Sequence, residues 1–230
     1  MLCFCFFLCY DDDMLHVLAS IIPLGIGSIL ASPIIFVVAI VLLSQTYYPK
    51  IKWAAFFLPA LIVSVLATYA GYVLGHTITQ NSNAIVIKSS TDILIACIFF
   101  FLAFFSWFVK EKKFAVNKDA KGMKILKWFI IGSIMNGTNF NALVLVMAAG
   151  KEVGSSGLPQ LVQWLLLLLN IFFYTLTVSF PFFLILLFPK HSSAMLKSIS
   201  LFLKRYSKLI VAVLFFVFGV IFLNRAFPFV

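Results

Sequence analysis

The chain has 230 residues, of which 63% are hydrophobic and 10% charged, with 28 Phe and a formal net charge of +10. A soluble domain carries about 45–50% apolar residues and about 25% charged ones, and no soluble core grows fast enough with chain length to enclose this excess. The apolar residues arrive in long runs, not in the alternating segments of about ten residues that build a membrane β-barrel. The composition therefore specifies an all-α integral membrane protein.

In chain order, the first feature is an apolar stretch holding Cys3, Cys5 and Cys9 and ended by Asp11, Asp12 and Asp13. It is too short to span a bilayer core about 30 Å thick, and it lacks the basic start of a signal peptide. Residues 1–14 are read as an N-terminal extension, with Met14 as an alternative start. Lipidation or metal binding by its cysteines is the rival reading. Six apolar spans follow. They run from about Val17 to Ser44, Trp53 to Leu74, Ile93 to Val109, Trp128 to Ala149, Leu158 to Phe188, and Leu209 to Leu223. Pro33 breaks the first, Pro59 lies early in the second, and Pro181 is expected to tilt or kink the fifth. Cys97, within the third, reads as a small apolar packing residue.

The connecting segments divide by charge. Lys50 and Lys52 lie between the first two spans. Seven lysines (Lys110, Lys112, Lys113, Lys118, Lys121, Lys124 and Lys127) lie between the third and fourth. Lys190, Lys197, Lys204, Arg205 and Lys208 lie between the fifth and sixth. The opposite face holds only Lys88, Lys151 and Arg225 of the 17 basic residues. Basic loops stay cytoplasmic, so a multi-pass cell-membrane protein with both termini outside is expected. The same distribution explains the net charge by loops and membrane contact, with no nucleic-acid partner.

An internal repeat supports the count. Ile26-Gly27-Ser28-Ile29-Leu30 overlays Ile131-Gly132-Ser133-Ile134-Met135, each opening the first span of a half. Each is followed by a helix-weakening stretch, Ala31-Ser32-Pro33 in one half and Asn136-Gly137-Thr138-Asn139 in the other. Three spans per half is an odd number, so the halves must be inverted in the membrane. Residues 15–109 form the first three-helix repeat, 110–127 a basic cytoplasmic loop, and 128–225 the second repeat. Inverted repeats with interrupted helices at matching positions are an architecture of secondary transporters, with the site near the midplane.

Candidate chemistry is neutral. Asp92 is placed at the lip of the third span, where a helix N-terminus favours an acid, and Glu111, Asp119 and Glu152 are placed in loops. With no acid or His at a span centre, a proton relay or hard-metal site lacks its usual ligands. What remains is Asn136, Thr138, Asn139 and Asn141 in the fourth span, with Ser28, Ser32 and Pro33 at the matching place in the first. Buried amides need partners, and a proline frees a carbonyl of the preceding turn. These seven residues are the candidate substrate contacts, with structural hydrogen bonding as the alternative. Gly25, Gly27 and the Gly71/Gly75 pair, spaced GxxxG, read as close-approach points between helices. Asn170, Tyr174, Thr175, Thr177 and Ser179 either line a path along the fifth span or bond across helices. No CxxC pair, nucleotide-binding loop or nucleophile elbow occurs. No cofactor, metal or enzymatic activity is expected, and ATP hydrolysis in this chain is excluded.

At these residues the chain resembles the lysine-exporter (LysE) superfamily, and within it the GAP or Sap family of glycolipid- or sulfolipid-addressing proteins. The resemblance covers roughly Leu15 to Leu223. It rests on Ser32-Pro33-Ile34-Ile35 and on Asn136 to Asn141 leading into Ala148-Ala149-Gly150. The chain departs from the family pattern where Gly137-Thr138 and Phe140 replace a Pro-Lys step, so a role carried by that Lys does not transfer. The resemblance implies a transporter exporting a lipid-linked or amphipathic substrate by alternating access, with membrane lipids as partners. An amino-acid or small-solute exporter of the same fold is one rival. A non-transporting assembly partner docking through the Lys-rich loop is the other. The substrate, the coupling ion and homo-oligomerisation stay open at this level.

Overall fold

The computed structural model describes residues 12–43, 48–80, 84–108, 125–188 and 192–227. The N-terminal cysteines and all of the Lys-rich loop before Ile125 lie outside the described residues. Eight helices account for nearly all of those described: α1 Asp12–Leu30, α2 Pro33–Leu43, α3 Pro49–Thr79, α4 Ala84–Phe108, α5 Ile125–Gly137, α6 Phe140–Gly154, α7 Gln160–Leu187 and α8 Ser192–Ala226. No strand occurs among the described residues.

Four helices contain segments long and apolar enough to cross a membrane: α3, α4, α7 and α8. The others form two bent pairs, α1 with α2 at 60° and α5 with α6 at 66°. Counting each pair as one span gives six. The bundle encloses polar side chains within its apolar core and turns large apolar side chains outward. Ser28, Ser64, Thr68, Asn136 and Asn170 are buried, while Leu66, Phe101, Phe104, Leu168 and Leu187 face outward. That arrangement suits a multi-pass membrane protein, since lipid accepts leucine and phenylalanine but leaves polar groups to find partners inside the bundle.

Chain direction puts the start of α1 and the ends of α3, α6 and α8 at one pole, here called the terminal pole. The ends of α2, α4 and α7 and the starts of α3, α5 and α8 share the opposite pole. The principal packed pairs are α4 with α8, α3 with α5 and α6, and α1 with α6 and α7. The α4–α8 contact is an aromatic seam in which Phe99 meets the rings of Phe215, Phe218 and Phe222. The α3–α6 contact is a glycine crossing. A Cβ on Gly71 would lie 2.1 Å from the Met147 carbonyl oxygen, and one on Gly75 2.2 Å from that of Lys151. Gly150 and Gly154 reciprocate against Thr68 and Tyr72. The close approach expected of Gly71 and Gly75 is thus present, and its partner is a second GxxxG pair in α6.

Three of the boundaries that differ from the sequence reading do so for one reason. Helix α4 begins at Ala84, α6 continues to Gly154, and α8 begins at Ser192. Hydropathy ends a span at the first charge, whereas a helix continues while its backbone ladder and packing do, and Lys, Glu, Met and Leu are good helix formers. Lys52 likewise sits in α3, buried, instead of in a loop. Cys97 faces out of the bundle and is not a core packing residue.

Candidate functional site

The two helix breaks are made by different chemistry. In the first, the Ser32 N–H donates to the Ile29 carbonyl at 3.2 Å, a tightened last turn of α1. Pro33 then has no N–H to continue the ladder, and it is well placed as the first residue of α2. In the second break there is no proline. Asn136 Nδ2 donates to the Gly132 carbonyl at 2.8 Å, and Thr138 Oγ1 to that of Ile134 at 2.7 Å. Side chains that bond back to the i−4 carbonyl compete with the helical ladder, and Gly137 adds backbone freedom between them.

The breaks meet. Asn139 Nδ2 donates to Ser32 Oγ at 2.5 Å, joining residues 107 apart in the chain. Ser32 Oγ donates to the Ser28 carbonyl at 3.0 Å, and Ser28 Oγ to that of Gly25 at 2.7 Å. From α7, the Tyr174 hydroxyl lies 3.3 Å from the Asn136 carbonyl oxygen and 3.4 Å from its Oδ1. A continuous set of neutral polar groups therefore runs from α1 through both breaks to α7. Of the seven expected residues, Ser28, Ser32, Asn136 and Asn139 belong to it, and Pro33 opens α2 beside it. Thr138 is exposed and Asn141 half-buried.

Helix α7 extends this set as a buried stripe of Gln163, Asn170, Tyr174 and Thr177, at spacings that keep one helix face. Asn170 Nδ2 donates to Thr68 Oγ1 at 3.2 Å and to the Val146 carbonyl at 3.0 Å. Its Oδ1 and the Thr177 hydroxyl are buried with no hydrogen-bond partner among the described residues. Thr175 and Ser179 bond to their own helix. Tyr174→Phe should remove the hydroxyl that ties α7 to the second break. Its two contacts are long, so a loss of about 0.5–1 kcal/mol is expected, read as a small fall in the melting temperature of the detergent-solubilised protein. A fall of several kcal/mol, or none, would contradict the tie.

A second polar cluster lies at the terminal pole. Lys151 of α6 is fully buried and paired with Asp92 of α4, itself 2% exposed. Glu152 accepts from Arg225 Nη1 of α8 at 2.7 Å and lies 3.6 Å from Lys151 Nζ. Arg225 Nη2 donates to Ser20 Oγ of α1 at 2.6 Å. The Phe222 ring lies beside both cations, 5.8 Å from Lys151 Nζ and 5.5 Å from the Arg225 guanidinium. Two acids and two bases, with Ser20, thus form a neutral network across four helices. Sequence reading put Asp92 at a helix lip and Glu152 in a loop. In the structure α4 starts eight residues before Asp92, and α6 carries Lys151 and Glu152 inside its last turns. The available signal was the pattern Gly150-Lys151-Glu152-Val153-Gly154, whose glycine spacing continues the helical contact past the charges.

Among the described residues no group of His, Cys, Asp and Glu could hold a metal ion. No curated protein and no solved structure matches the chain. The family model described as Sap, sulfolipid-1-addressing protein, matches residues 21–227, which takes in both breaks and the four charged residues of the terminal-pole network. By that match the chain belongs to the Sap, sulfolipid-1-addressing protein, family.

Proposed function

We propose that the protein is an alternating-access membrane transporter that exports a lipid-linked or amphipathic substrate past its paired helix breaks. The observation that carries this reading is the Asn139–Ser32 hydrogen bond between two interrupted helices in a neutral, polar bundle centre. Interrupted helices at matching positions are where transporters hold substrate. The family's name, sulfolipid-1-addressing protein, supports a lipid cargo. Part of the packing has the form that two inverted halves, 15–109 and 128–225, would give, although the α1–α6 contact has no comparable α5–α2 counterpart. A two-fold exchanging them would swap the α3–α6 contact with α7–α2, α3–α5 with α7–α1, and α2–α3 with α6–α7, and both members of each pair are present. The positive-inside distribution puts the terminal pole outside the cell.

Comparative analysis of lipids in the two leaflets, with the gene deleted and restored, tests the reading. A lipid that accumulates inside on deletion and returns outward on restoration is the expected result. No change in any lipid would overturn lipid export and transfer the assignment to a small-solute exporter. At the site, Asn136→Ala and Asn139→Ala should each lower export about five-fold, the effect of losing roughly 1 kcal/mol of hydrogen bonding at a substrate contact, with membrane insertion unchanged. Asn141→Ala should also impair export, and Thr138→Ala, on the exposed side, should act least. Full export in the three asparagine variants would remove the breaks from the substrate path.

A further inference from the structure

We infer that the Asp92–Lys151 and Glu152–Arg225 network is a latch between the two halves that closes the terminal pole of the bundle and must part for the site to open there. This inference rests on the alternating-access reading. Asp92 and Ser20 belong to the first half, and Lys151, Glu152 and Arg225 to the second. Each of the connections from Lys151 to Asp92 and from Arg225 to Ser20 therefore crosses from one half to the other.

The network also lies where a gate must. Ser20 is two turns from Ser28 along α1, toward the terminal pole, and Lys151 is three turns from the second break along α6. The glycine crossing fixes its depth, because Gly75 admits the Lys151 backbone against α3 and so buries its ammonium at Asp92. At the opposite pole the contacts are of another kind. Trp53 stacks between Phe57 and Phe182 with ring centroids 5.1 and 4.3 Å away, and its indole N–H donates to the Val178 carbonyl at 3.0 Å. Buried ion pairs suit a two-state element. Partners that separate into a water-filled opening regain hydration, whereas partners held apart in a dry interior do not.

The test uses the full chain in membranes, with native cysteines replaced and Thr68→Cys as reporter. Thr68 is buried in α3, two turns deeper than Gly75. A membrane-impermeant maleimide is added to each side in turn. Labelling should be slow from both sides in the parent. In Asp92→Asn/Lys151→Met it should rise about five-fold or more, from the side carrying the chain termini only. The charge-reversed Asp92→Lys/Lys151→Asp should return labelling to the parent rate. Glu152→Gln/Arg225→Gln, at the less buried pair, should raise it in the same direction and covers the case in which the first double variant does not fold. Unchanged labelling in a double variant that keeps the parent melting temperature would overturn the latch and leave a purely structural network, as would a rise from both sides. Labelling needs no cargo, so it separates the two ideas. Unchanged labelling beside intact lipid export removes the latch alone, and gated labelling beside no change in any lipid on deletion removes the lipid cargo alone.

Discussion

Lys151→Met should unfold or strongly destabilise the protein, by about 3–5 kcal/mol, whereas Asp92→Asn/Lys151→Met should recover most of that loss. The single change leaves the Asp92 carboxylate buried without its cation. Removing one partner of a buried pair costs this much because the desolvated charge is left uncompensated. Glu152 does not relieve it, being an acid itself, and Arg225 is engaged with Glu152 and Ser20. The double change removes both charges, and replacing a buried pair by groups of similar volume is often nearly neutral. Phe222 strengthens the contrast, since its ring faces Lys151 and would pack against a methionine in the double variant. The measurement is the fraction of folded monomer on size-exclusion chromatography, together with the melting temperature in detergent. Equal losses in the single and double variants would show that the ion pair as a unit matters less than the space Lys151 fills.

How much of this was legible in the sequence follows the physics of each feature. Apolar runs and the first break were readable because Pro33 and the hydropathy of α3 and α7 act locally. The second break was readable from Asn136, Gly137, Thr138 and Asn139, whose side chains compete with the backbone wherever they stand. What a local reading cannot hold is pairing. That Asn139 finds Ser32 depends on how two bent helices cross, and neither residue specifies the other. The charged network shows the same limit more sharply. Asp92, Lys151, Glu152 and Arg225 look like loop and lip residues because each is costly in a bilayer by itself. They become tolerable only when three helices bring them together as a neutral set. Helix ends placed by hydropathy therefore fell short wherever a charge was compensated in space.

The glycine crossing gives the last expected effect, and it separates two kinds of glycine. Gly71→Ala and Gly150→Ala should each cost at least the upper part of the ~1–3 kcal/mol range for overpacking. The atom each new Cβ meets, the carbonyl oxygen of Met147 or Thr68, belongs to a helix backbone that no rotamer change can move. The helices must separate, and the crossing then loses close packing along its whole length, including the approach at Gly75 that seats Lys151. Because one separation accommodates both new methyl groups, the double variant should cost clearly less than the sum of the singles. Gly137→Ala provides the contrast. It ends α5 with no atom within 4 Å of its Cβ position, so the change should be neutral or stabilising by up to about 1 kcal/mol, through the unfolded chain's lost freedom. Thermal melts of the four variants in one detergent check the ranking. If Gly71→Ala melts with the parent, α3 and α6 do not approach as closely as the structure places them. The burial of Lys151, and with it the latch, would then lose its mechanical basis.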